Sequence, residues 1–246
     1  MFKNKDKMNY PFLIIHGWGK GSQSWQTIKE ILTNKGYQVV VPDLPGFGQN
    51  PPPIKPWSID DYVAWIKNYI EQNKLSPVNL LGHSFGGAVA VKYSLKYPQD
   101  IKKLFLIAPA LIRKQTIKIK FLKKSSNFLN KLFKSKSCPR FSIICKKIFY
   151  KVLRIKSDYL SVEGVMKDTF LNILKEDLSA ELIKISLPTI IIWGEKDDVL
   201  PVKQAHLINQ KIENSKLIII PAANHNLSQT KPQILAEKIL ENINHN

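Results

Sequence analysis

A chain of 246 residues that is 44% hydrophobic has enough apolar material to bury one sizeable core, as a single large domain or as a core domain carrying an insertion, and this excludes intrinsic disorder. The opening MFKNKDKMNY lacks the apolar centre and small-residue cleavage site of a secretory signal, and no apolar run approaches the roughly 18 residues of a spanning helix, so a soluble cytoplasmic protein is expected. The net charge of +18 is concentrated: of 37 Lys and Arg, fifteen fall between Leu111 and Ser157, where there is no Asp or Glu, leaving 22 basic against 19 acidic residues elsewhere.

In chain order, PFLII (11–15) reads as a buried strand that runs on, in LIIHGWGKG (13–21), into a glycine-punctuated loop. SWQTIKEILTNKG follows as a helix with Ser24 as its cap and Gly36 as its stop. After the strand YQVVV (37–41) comes NPPPIKP (50–56), a stiff surface loop. SIDDYVAWIKNYIEQN is a helix starting at Ser58, with Asp61 three residues on in a near capping-box arrangement and Tyr62, Val63, Ile66 and Ile70 on one side. VNLL (78–81) is a strand and residues 86–96 a helix, with Ser84 set between glycines where one gives way to the other. KLFLI (103–107), TIIIW (189–193) and KLIII (216–220) are three further strands, with helices at about 202–213 and about 231–243. Continuous rather than alternating hydrophobicity means that both faces of the strands are covered. Strands alternating with helices then predict an α/β fold with a mostly parallel sheet of about six strands flanked by helices.

The basic segment, about 111–178, breaks this rhythm. Its apolar residues recur at helical spacing, as in Phe128, Leu129, Leu132 and Phe133, then Ile144, Ile148, Val152 and Ile155. It is read as an inserted helical cap, with residues 1–110 and 179–246 as the core. Cys138 and Cys145 have neither the spacing nor the histidine partners of a zinc site and are too few for a disulfide framework, so they are read as packing thiols.

A serine hydroxyl is a poor nucleophile unless a base removes its proton and donors stabilise the oxyanion that forms. Candidates for each role are present. GHSFG (82–86) fits G-x-S-x-G, in which the serine occupies a strained strand-to-helix turn, and Gly87 suits close packing of the following helix. In the loop after the first strand the Trp18 backbone N–H is a candidate oxyanion donor, with the Phe85 N–H as its partner, and His16 is read as structural. IIWGEKDDVLP (191–201) offers an acid at the end of a strand, Asp197 or Asp198 by residue type. LIIIPAANHNLS (217–228) places His225 in a loop after the last strand. Of the other histidines outside the first loop, His83 should point away from the bend, His206 falls in a helix and His245 near the terminus. The order Ser, Asp, His, each at the end of a strand, points to nucleophilic acyl chemistry, because the carboxyl ends of parallel strands share one edge.

At HGWG, VVVPDLPGFGQN, GHSFGG, GEKDDVLP and the NH near the C-terminus, the sequence resembles the α/β-hydrolase superfamily, over residues about 10 to 110 and 185 to 240. The resemblance implies Ser84 as nucleophile, His225 as base and Asp197 as acid, the family's acid standing three residues after the glycine that is Gly194 here. It also implies Trp18 and Phe85 as oxyanion donors, no cofactor and no metal, and it puts residues 111–178 where the family carries a substrate-selecting cap. The opening is too short for the family's two leading strands, and NPPP stands where a small polar residue with a charge is usual, so sheet size and edge geometry do not carry over. Serine at the bend, where dehalogenases and epoxide hydrolases of the superfamily have aspartate, argues against both reactions. HGWG with DLPGFG also resembles carboxylesterases that cleave a methyl ester from an acyl chain on a carrier protein.

The expected activity is hydrolysis of a small-molecule carboxylic ester, lipid-like in one version, through an acyl-enzyme on Ser84. Acyl transfer, thioester hydrolysis and C–C hydrolysis would use the same triad. A rival reading makes the lysine-rich segment a binding module for anionic membranes on a hydrolase scaffold. Against it stands a merely solvated face in a chain rich in Lys, Ile and Asn. Nucleic acid is not an expected partner, since no aromatic-interleaved basic stripe accompanies the charge.

Overall fold

The computed structural model describes residues 9–113 and 163–243. Six strands form one parallel sheet: β1 (Phe12–Ile15), β2 (Val39–Val40), β3 (Val78–His83), β4 (Ile101–Ile107), β5 (Thr189–Gly194) and β6 (Ser215–Ile220), in the order β2-β1-β3-β4-β5-β6. Seven helices are described: α1 (Gln26–Asn34), α2 (Ile59–Gln72), α3 (Phe85–Lys96), α4 (Gly164–Lys175), α5 (Lys203–Lys211), α6 (Leu227–Thr230) and α7 (Pro232–Glu241).

Successive strand residues feed two cores. Phe12 and Ile14 pack on one face with Leu81, Phe105, Ile107, Ile190 and Ile192, beneath Ile28 and Leu32 of α1 and Leu235 and Ile239 of α7. Leu13 and Ile15 pack on the other with Leu80, Leu104, Leu106 and Ile191, beneath Val63 and Ile66 of α2, Val89 of α3 and Ile208 of α5. This is why the central positions of the strands are apolar on both faces: helices cover the sheet from either side. Each fully buried Leu or Ile stabilises the fold by roughly 1.5–3 kcal/mol relative to exposure.

The register aligns the carboxyl ends of the strands. Ile15 pairs with Gly82, His83 with Ile107, Ile107 with Ile192 and Gly194 with Ile220. The loops after β1, β3, β5 and β6 therefore leave from one edge.

Most predicted elements fall where expected, with instructive differences. The capping box of α2 is complete: the Asp61 N–H donates to the Ser58 hydroxyl at 3.3 Å and the Ser58 N–H to Asp61 Oδ2 at 2.7 Å. Tyr62, Val63, Ile66 and Ile70 are all buried. Ser24, by contrast, does not cap α1. It lies inside a 3-10 turn (Ser22–Trp25) and donates its hydroxyl to the Gly21 carbonyl at 2.7 Å, so α1 begins later, at Gln26. The turn is set by a tertiary contact, the Ser22 N–H donating to Asp43 Oδ1 at 2.6 Å. β2 is shorter than the apolar run 37–41, because among the described residues it is an edge strand paired with β1 alone, and Pro42 follows it closely. β3 runs two residues past the apolar stretch, carried through Gly82 by pairing with both β1 and β4 and through His83 by pairing with β4. Loop 50–56 lies on the surface, with Ile54 fully exposed.

Of the basic segment, α4 and its flanks are described. The helical spacings at Phe128–Phe133 and Ile144–Ile155, the two cysteines, the lysine-rich stretch on which the membrane reading rests and His245 lie outside the described residues. α4 is tied to the core by directed bonds. The Trp57 N–H donates to Thr169 Oγ1 at 2.9 Å and the Ile59 N–H to Glu176 Oε1 at 3.1 Å, while Lys92 Nζ reaches Glu176 Oε2 at 2.8 Å. Among the described residues no helix is long and apolar enough to cross a membrane.

Candidate active site

β3 delivers Ser84 into the bend before α3 with φ 52° and ψ −114°, a conformation that costs a non-glycine residue on the order of 1–3 kcal/mol. Three backbone bonds hold it there. The Ser84 N–H donates to Ile107 O at 3.1 Å, and Ser84 O accepts from Gly87 N–H at 3.0 Å and Ala110 N–H at 2.9 Å. The flanking glycines permit the approach of neighbouring chain: a Cβ on Gly86 would collide with the Ile15 carbonyl, and one on Gly87 would sit 2.5 Å from Pro109 Cβ. α3 thus packs through its glycines against the ends of β1 and β4, and the strained serine is left half-exposed at the sheet edge.

The loops after β5 and β6 are laced together, Lys196 N–H donating to Ala223 O at 2.8 Å and Glu195 N–H to Ile220 O at 3.0 Å. They bring Asp197 and His225 into contact, Nδ1 to Oδ2 at 2.7 Å. Residue type alone leaves Asp197 and Asp198 equivalent; in the fold it is the Asp197 carboxylate, fully shielded from solvent, that meets the ring. Its other oxygen, Oδ1, accepts from Val199 N–H and Leu200 N–H at 2.8 Å each. A carboxylate oxygen accepts, so Nδ1 carries the ring proton and Nε2 is left with a lone pair able to take a proton.

The loop after β1 is anchored by His16, which has no solvent exposure. Leu44 N–H donates to His16 Nε2 at 3.1 Å, so Nδ1 bears the hydrogen given to Gly17 O at 2.9 Å. His16 therefore has the structural role expected of it. Neither the Trp18 nor the Phe85 backbone N–H has an acceptor among the described residues. The Trp18 ring packs edge-on against Phe47 at 4.8 Å and Phe85 at 5.5 Å between centroids, and tilted against Phe170 of α4 at 4.9 Å. An apolar, aromatic surface to which α4 contributes thus adjoins the serine bend through Phe85.

His83, expected to point away from the bend, instead lies against the loop that carries the base: its Nε2 is 3.0 Å from the His225 carbonyl oxygen and its ring 5.0 Å from that of His225 between centroids. Ser84 is thereby joined to the Asp197–His225 pair through its own neighbour, while among the described residues no hydrogen bond links the Ser84 hydroxyl to the His225 ring. Such bonds commonly tighten only with substrate in place. Phe170 and Thr169, which tie α4 to the site and its surroundings, carried no sequence signal beyond apolar or small residue type. An open cleft of about 370 Å³ beside Trp65, Tyr69, Pro42 and Asn50 contains none of these groups. Among the described residues no group of three or more His, Cys, Asp or Glu could hold a metal ion.

The buried imidazoles make stability sensitive to acid. Burial, and then the neighbouring charge of His225, push the His83 pKa down to about 3 from its ordinary 6.5, and burial lowers that of His16. Below pH 6.5 the unfolded chain binds protons that the folded rings refuse, so their contribution is complete above 6.5 and is lost as pH falls toward 3. Asp43 adds to this: burial raises its pKa, but hydrogen bonds from Ser22 and Gln49 outweigh burial and leave it below 3.8, so its share is lost on further acidification through the lowered value. Tm is expected to decline continuously from pH 6.5 to about 4.5 in a buffer series. A level Tm across that window would contradict rings held neutral by burial.

A parallel sheet with a strained serine after one strand and an aspartate–histidine pair after two others is the arrangement of an α/β hydrolase. The chain belongs to the α/β-hydrolase fold family, which it matches over residues 10–232. Among curated relatives it is 28% identical to monoacylglycerol lipase ABHD6 of Homo sapiens, covering 98% of this chain and 77% of that protein. It is 28% identical to Lipase 3 of Moraxella sp. (strain TA144), covering 91% and 74%. Among solved structures, an esterase from Exiguobacterium antarcticum superposes with a TM-score of 0.72 at 24% identity, covering 94% of this chain and 90% of that one, a likeness of fold.

Proposed function

We propose that this chain is a lipase- or esterase-type hydrolase that cleaves a carboxylic ester through an acyl-enzyme on Ser84. The Nδ1–Oδ2 bond of 2.7 Å between His225 and Asp197 is the observation that carries the reading, since it orients a basic Nε2 at the strand edge where Ser84 is held in strain. His225 Nε2 takes the Ser84 proton as Oγ bonds to the carbonyl carbon, and the carbonyl π electrons move to oxygen. The Trp18 and Phe85 N–H groups receive that oxyanion. On collapse the alcohol leaves with the proton from His225. Water, activated by the same nitrogen, then adds to the acyl carbon, and the acid departs as Ser84 regains its hydrogen. Asp197 keeps the imidazole in the required tautomer and stabilises its cation.

The aromatic surface formed by Trp18, Phe47, Phe85 and Phe170 supports an apolar acyl or alcohol group on the substrate, and the names of the curated relatives support a lipid-type ester. α4, which presents Phe170, supports a substrate-covering cap within 111–178 on a core of 1–110 and 179–246.

The test is a series of p-nitrophenyl esters of increasing acyl length, together with labelling by a fluorophosphonate and mass mapping of the adduct. Hydrolysis and a stoichiometric adduct on Ser84 are expected. An unlabelled Ser84 in protein that hydrolyses these esters would overturn the assignment.

A further inference from the structure

We propose that His83 is a positioning residue: by donating its Nε2–H to the His225 backbone carbonyl, it fixes the distance between the base loop and the strand end that carries Ser84. The inference rests on the triad reading above.

A carbonyl only accepts, so the 3.0 Å contact requires the hydrogen on His83 Nε2 and leaves Nδ1 bare. The bare nitrogen lies against the oxyanion loop, where a Cβ on Gly17 would stand 2.9 Å from Nδ1 and 3.5 Å from Ser84 Cβ. The ring is buried, 5.0 Å from the His225 ring and 6.0 Å from Trp25 between centroids. One imidazole thus touches the base loop and the oxyanion loop while being covalently next to the nucleophile. Residues 83 and 225 are 142 positions apart, and the bond between them is a directed link from the serine bend to the base loop.

The two anchors on His225 act on different atoms. Asp197 holds Nδ1 and so sets how the ring is turned; His83 holds the backbone carbonyl and so sets how far the ring stands from Ser84. Burial most strongly, and the charges of His225, Lys20 and His16, disfavour a His83 cation, and together they outweigh the bond to the His225 carbonyl, which favours it. His83 therefore remains a neutral donor through the range in which the base works, and the link does not open with pH.

Two substitutions separate the donor from the ring. His83→Phe keeps the packing volume and removes the N–H; His83→Gln gives up the ring but offers an amide N–H of similar reach. With rates normalised to the fraction of Ser84 titrated by a phosphonate, so that misfolded molecules do not count, His83→Phe is expected to lose about 10- to 100-fold in kcat with KM within about 3-fold. His83→Gln is expected to stay within about 5-fold of the parent kcat. Phe equal to or better than Gln would show that packing alone matters and would overturn the proposal, as would an unchanged kcat in both. Hydrolysis persisting in a parallel Ser84→Ala protein would instead overturn the triad reading itself.

Discussion

Ser84→Ala is expected to lower kcat for ester hydrolysis by roughly 10⁴- to 10⁶-fold while leaving the fold intact. The loss is large because the hydroxyl is the bond-forming atom, and water has no equivalent place between the base and the oxyanion donors. The fold should survive because the bend is held by backbone groups, Ser84 N–H to Ile107 O and Ser84 O to the Gly87 and Ala110 N–H groups, none of which depends on Oγ. Alanine also bears the φ of 52° at a cost close to that of serine. A residual rate above the uncatalysed reaction is expected from the oxyanion donors and binding alone. Ester turnover within about 10-fold of the parent, in protein with an unchanged melting curve, would rule out Ser84 as the nucleophile.

Asp197→Asn should come next in effect, with kcat down by about 10³- to 10⁴-fold and KM little changed. The geometry says why so small a change is costly. Asp197 uses both oxygens: Oδ1 accepts from Val199 N–H and Leu200 N–H, and Oδ2 accepts from His225 Nδ1. Asparagine has one oxygen. Two backbone donors outcompete one ring donor for it, so the amide NH₂ faces Nδ1 and donates to it. The ring must then carry its hydrogen on Nε2, the atom that has to accept the serine proton. The fold is expected to hold, since the loop's two backbone bonds are kept. The measurement is steady-state kinetics with ¹⁵N spectra of the ring. A variant that retains kcat, or one whose hydrogen stays on Nδ1, would contradict this account of the aspartate.

How much of this was legible from residues alone depended on the range of the interactions concerned. The strands were legible because a run such as Phe12–Ile15 or Ile190–Trp193, apolar at every position, is buried on both faces. The start of α2 was legible because a capping box is closed within four residues. Ser24 has a cap's residue type, but the bond that shapes its turn comes from Asp43, beyond the reach of any local pattern. The apolar run of β3 stops at Leu81, yet pairing with β1 and β4 carries the strand two residues further.

The candidate site divides in the same way. Residue types, their order along the chain and their places after strands are properties of the sequence, and they were enough to nominate Ser84, His225 and an acid among Asp197 and Asp198, and to name the α/β architecture. Which oxygen meets which nitrogen, the strain at Ser84, the two amides without acceptors among the described residues, the aromatic contact that joins Trp18 to Phe170 and the reach of His83 to the His225 carbonyl were decided only by tertiary structure. The reason is physical: periodicity and capping are set within a few residues and so are written locally, whereas contacts between groups 28 to 142 positions apart exist only once the sheet has aligned the ends of its strands.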